Sequence, residues 1–99
     1  MRLTPKQIAV IRQGAAQLAG ESARIWLFGS RVRDDTRGGD VDLLLELDVT
    51  VAEPAQLSAR LASLVSRAMD GRKVDVLINA PNLLHLPIHD IALAEGIRL

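Results

Sequence analysis

The chain has 99 residues, 48 % of them hydrophobic, with 12 basic and 12 acidic side chains, no cysteine and a formal net charge of zero. That length suits one small core and not two, the apolar content excludes a disordered chain, and the missing cysteines exclude disulfides and thiolate metal sites. Charge balance excludes generic attraction to nucleic acid or to a membrane surface, and no apolar run approaches a membrane span.

A single domain over 1–99 is therefore expected. The N-terminus "MRLTPKQ" turns polar before a hydrophobic region forms, so no signal peptide is expected, and the lack of cysteine fits a reducing, cytoplasmic setting.

Thr4-Pro5-Lys6-Gln7 has the pattern of a helix start, with Thr4 as N-cap, Pro5 in the first helical position and Gln7 completing a capping box. Ile8, Ile11, Ala15 and Leu18 follow at helical spacing, which predicts a helix over 5–19 ended by Gly20. "RIWLFGS" (24–30) predicts a strand that stops at Gly29, and "DVDLLLEL" (40–47) predicts a second. "PAQLSARLASLVSRAM" (54–69) puts Leu57, Leu61, Leu64, Val65 and Ala68 on one helical face. "RKVDVLINA" (72–80) predicts a third strand, "IHDIALAEG" (88–96) a short helix, and Ile97-Arg98-Leu99 a small edge strand. The order α-β-β-α-β-α implies an α/β (α+β) fold, a small mixed sheet with helices mainly on one face. Trp26 and Phe28, the only aromatic residues, share a face of the first strand and are expected in the core.

Side chains alternate across a strand. Val41, Leu43, Leu45 and Leu47 therefore face a helix, while Asp40 and Asp42 face the other way, about 7 Å apart at roughly 3.3 Å per residue. In the third strand Val74 and Val76 share a face, which turns Asp75 to the opposite one. If the second and third strands are neighbours, three carboxylates converge. Two like charges about 4 Å apart repel by roughly 4 kcal/mol at an effective dielectric near 20. A retained proton or a divalent cation must relieve that repulsion, and oxygen-only ligands suit magnesium or manganese rather than zinc.

Gly29 lets the backbone turn sharply and lets a phosphate approach. Ser30 is expected to open a short helix to about Asp35, whose free amides favour a phosphate. Arg31, Arg33 and Arg37 surround that loop, Arg33 being the best placed for a phosphate, and Gly38-Gly39 lets the chain double back to Asp40. A phosphate-binding turn beside a carboxylate cluster describes a site for a nucleoside triphosphate with magnesium. Glu46 lies too far along the strand for a role, and Arg72 and Lys73 are read as surface residues at a strand start. His85 and His89 have a zinc-like spacing, but Pro87 interrupts the helix that zinc binding would need.

The stretch "GSRVRDDTRGGDVD" resembles the glycine–serine, spacer, Asp-x-Asp signature of the DNA-polymerase-β-like nucleotidyltransferase superfamily, and the short chain resembles its minimal nucleotidyltransferase (MNT) branch. The resemblance extends from the leading helix through "LFGSRVR", "DVDLLLEL" and "KVDVLI" to "LPIHDIALAEGIRL". It implies that Asp40, Asp42 and Asp75 bind two magnesium ions and that Gly29 and Ser30 hold the outer phosphates. Two positions depart from the pattern: Asp34 stands where many relatives have glycine, and Gly39 replaces a common serine. Neither removes a metal ligand.

The same resemblance implies an in-line attack on the α-phosphorus of ATP, with AMP passing to a tyrosine of a partner HEPN-domain toxin that the chain neutralises as an antitoxin. A binding antitoxin without catalysis is the alternative from another class. A third keeps the enzyme and takes a small-molecule acceptor such as an aminoglycoside, for which a homodimer could build a cleft. Without an acceptor domain or an aromatic platform, a nucleic-acid primer is not expected.

Overall fold

The computed structural model describes residues 3–29 and 40–99. Helix α1 (Pro5–Ala19) begins as expected: the Thr4 hydroxyl accepts the Gln7 amide at 3.1 Å, and the Gln7 side chain accepts the Thr4 amide at 2.9 Å. Strand β1 (Arg24–Phe28) follows, then β2 (Val41–Glu46), helix α2 (Pro54–Ala68), strand β3 (Val74–Asn79), helix α3 (Pro87–Glu95) and the two-residue strand β4 (Ile97–Arg98).

The sheet order is β3-β2-β1-β4. β2 runs parallel to β3 and antiparallel to β1, and β4 pairs antiparallel with β1. The parallel pair requires a crossover, which α2 supplies. One face of this mixed sheet carries Ile25, Leu27, Val41, Leu43, Leu45, Val74 and Ile78, which bury together with Ile11 and Ala15 of α1 and Leu61 and Val65 of α2. Fully burying each large aliphatic side chain stabilises by about 1.5–3 kcal/mol, so this layer holds the fold.

The opposite face carries a thinner layer. α3 packs against β1 and β2 there, crossing from the end of β3 to β4, and Leu44 of β2 and Ala92 of α3 are both fully buried. Trp26 and Phe28 belong to this second face, because Ile25 and Leu27 alternate with them and point into the main core. This corrects the expectation that the aromatic pair is core: both are half-buried, Trp26 opposite Leu44 and Phe28 opposite Asp42.

α3 is anchored through His89, the one buried polar side chain among the described residues. Its Nδ1 accepts the Leu86 amide at 2.9 Å, and its Nε2–H donates to the Ile78 carbonyl at 3.1 Å. From the other layer the Ser58 hydroxyl donates to the Val76 carbonyl at 2.8 Å. Both carbonyls lie on the edge of β3 turned away from β2. Among the described residues no helix is long and apolar enough to cross a membrane.

Candidate active site

The second face ends at an acidic corner. The β2–β3 register places Asp42 directly opposite Asp75, and Val41 opposite Val74. Parallel strands lie about 4.8 Å apart, so two carboxylates on one face at this register are close neighbours. Asp40 precedes β2 by one residue and shares their face by alternation. The convergence expected of Asp40, Asp42 and Asp75 is thus realised at the level of strands and faces. At roughly 5 Å and an effective dielectric near 20 the Asp42–Asp75 repulsion is about 3 kcal/mol. It is less here, because the side chain of Asp75 is 55 % exposed.

Asp42 is the shielded member. Burial pushes its carboxyl above the ordinary range, the charges of Asp75 and Asp40 push it further, and Lys73 works against them. Phe28 stands beside it across the antiparallel ladder, and Gly29 closes over it. Gly29 has φ +77°, in the region that favours glycine, and a Cβ there would collide with the Asp42 carboxylate, lying 3.2 Å from its Cγ. The absent side chain of Gly29 is the space that the Asp42 carboxylate occupies.

Lys73 is a surface residue at the start of β3, as the sequence suggests, and its side chain stands at the corner. Its Nζ lies 4.0 Å from Asp40 Oδ2 and 3.9 Å from Asp75 Oδ2. The signal for it was alternation: residues 73 and 75 share a face, and the face carries the acids.

Other expected residues are distributed differently. Glu46 shares the sheet face but is held by Arg24, whose Nε donates to it at 2.7 Å while the guanidinium nitrogens grip Asp48 at 2.9 and 3.0 Å. Its place at the far end of β2, opposite Asn79, keeps Glu46 away from the corner. His85 meets Asp90 at 2.7 Å, and both ring nitrogens of His89 are engaged by backbone, so the pair forms no zinc site. Ser30, Arg31, Arg33, Asp34, Arg37, Gly38, Gly39 and the short helix expected from Ser30 to Asp35 lie outside the described residues.

The donor set fits a hard divalent cation. It is all oxygen, it is negative, and an ammonium group already stands between two of its members. Among the described residues no group of three or more acidic, histidine or cysteine side chains is spaced to hold a metal ion.

Against known proteins, the model of the family described as "Nucleotidyltransferase domain" matches residues 8–98. No curated protein matches the chain.

Proposed function

Because this chain belongs to the nucleotidyltransferase domain family, we propose that it is a magnesium-dependent enzyme that transfers AMP from ATP to a tyrosine hydroxyl of a partner HEPN-domain toxin, and so acts as its antitoxin. The observation that carries the enzymatic part is the facing of Asp42 and Asp75 across the parallel ladder, with Asp40 at the head of the same face and Gly29 lying against Asp42.

In this reading Asp40, Asp42 and Asp75 hold two Mg2+ ions, with Mn2+ as a workable substitute. When bound, the ions lower the pKa of the attacking hydroxyl and neutralise charge on the triphosphate and the departing pyrophosphate. The chain's own groups do the rest. Gly29 and Ser30 receive the outer phosphates, and Arg33 adds a positive charge to them. Asp75, at the open side of the corner, orients the acceptor hydroxyl and takes its proton. The hydroxyl oxygen bonds to the α-phosphorus, the bond from that phosphorus to the bridging oxygen of the β-phosphate breaks, and pyrophosphate leaves with the electron pair.

A protein acceptor is supported by the resemblance of "GSRVRDDTRGGDVD" to the MNT signature and by the surface around α3. Leu84 is 78 % exposed and Ile91 48 %, with Leu86 and Ile88 exposed between them. Apolar groups gathered in this way commonly mark a contact with another protein.

The test is incubation with ATP labelled on the α-phosphate, Mg2+ and a candidate HEPN-domain partner, followed by mass analysis of both chains. One AMP adduct or more on a tyrosine of the partner is expected. A complex that forms and stays unlabelled, together with an Asp40/Asp42 double variant that still protects cells, would replace catalysis by neutralisation through contact.

A further inference from the structure

We infer that Lys73 is a built-in counter-ion of the acidic corner, holding the place between Asp40 and Asp75 until a divalent cation displaces it. The inference rests on the metal-binding reading of the corner given above.

Two independent features place Lys73 there. The first is backbone: the Val41 amide donates to the Lys73 carbonyl at 2.9 Å, and Val41 pairs with Val74, so Lys73 sits beside Asp40 at the head of the two strands. Alternation then puts its side chain on the face of Asp75. The second is the side chain itself, with Nζ 4.0 Å from Asp40 and 3.9 Å from Asp75.

The grip is loose by design of its geometry. Arg24 also stands between two carboxylates, yet it holds them at 2.7 to 3.0 Å with a planar fork. Lys73 approaches its two acids at distances too long for hydrogen bonds, and its side chain is 69 % exposed. It is a mobile point charge on a flexible stem, and exposed ion pairs of this kind are weak. A divalent cation brings twice the charge to the same oxygens and can bond them directly. The lysine then swings into solvent, and the repulsion it relieved is relieved by the metal.

The consequence is competition. Removing the ammonium strengthens divalent-cation binding, and a charge-preserving substitution leaves it in place. The measurement is Mn2+ titration of the intact chain, reading free Mn2+ by electron paramagnetic resonance, for the parent, Lys73→Gln, Lys73→Arg, Arg72→Gln and Asp42→Asn, each checked for parental circular dichroism. Lys73→Gln is expected to bind Mn2+ roughly three- to tenfold more tightly than the parent, the effect of losing two exposed ion pairs. Lys73→Arg and Arg72→Gln should stay close to the parent, and Asp42→Asn should lose the site. Parental or weaker binding by Lys73→Gln, or equal tightening by Arg72→Gln or Lys73→Arg, overturns the counter-ion role while the metal site stands. Binding by none of the proteins overturns both.

Discussion

Asp42 and Asp75 are direct cross-strand partners in the parallel β2–β3 ladder, and burial followed by the facing charge of Asp75 pushes the Asp42 carboxyl up. The native chain therefore holds this proton more tightly than the unfolded chain does. The contribution favours the fold below about pH 4, the ordinary carboxylate value, and is lost as pH rises through the raised one. Asp42→Asn removes that loss. It should be at least as stable as the parent at pH 7, and its stability should fall less between pH 4 and pH 7 in urea melts. Nucleotidyl transfer should drop more than about a hundredfold, since even groups that only orient metal ligands cost up to that much. A variant less stable at pH 7 with the parental pH slope would contradict the account.

Gly29→Ala meets two obstacles, a φ of +77° and the Asp42 carboxylate where the new methyl must go. A non-glycine residue held left-handed costs about 1–2 kcal/mol, and the collision adds to it. The steric part should vanish when Asp42 is shortened. In a double-mutant cycle with Asp42→Ala, chemical denaturation should show a coupling of about 0.5 kcal/mol or more. Strict additivity would mean that the two residues do not meet.

His89→Leu keeps the bulk of the side chain but strands the Leu86 amide and the Ile78 carbonyl. An unsatisfied buried group such as the Ile78 carbonyl costs about 1–3 kcal/mol, and the part-buried Leu86 amide less. A loss of about 2–4 kcal/mol is expected in the same melts, with early hydrogen exchange in α3. A near-neutral result would assign the anchoring of α3 to Leu44 and Ala92 alone.

Thr4→Ala removes one half of the reciprocal cap on α1. It should cost about 1 kcal/mol and leave nucleotidyl transfer unchanged, because α1 lies behind the main core. Loss of transfer without loss of stability would put α1 in the site.

Local patterns carried much of this structure in advance. The capping box at Thr4 and Gln7, the Leu61–Val65 stripe and the alternation that turns Asp40, Asp42 and Asp75 away from the leucines are short-range properties, and the folded chain keeps each of them. What was not legible depended on partners distant in the chain. Trp26 and Phe28 could be assigned to one face, but which face is thick depends on where α1 and α2 pack. Leu44 reads as the misfit of an alternating strand until α3 crosses over it. Alternation puts Lys73 on the face of Asp75, but its place beside Asp40 comes from the register of Val41 against Val74, which neither strand encodes by itself. Residues 30–39 lie outside the described residues, so the phosphate contacts expected of Ser30 and Arg33 rest on the sequence alone.

The hydroxyl of Ser58 and the ring of His89, each bonded to an outward carbonyl of β3, restrict how another protein can reach Asp75. An incoming strand seeking to extend the sheet at β3 would have to expel both donors, one from each layer. Two outward carbonyls of β3 are thereby already taken, which disfavours strand addition along that edge. On the function proposed above, the acceptor tyrosine would come to the corner from above the strand ends rather than by backbone pairing along β3.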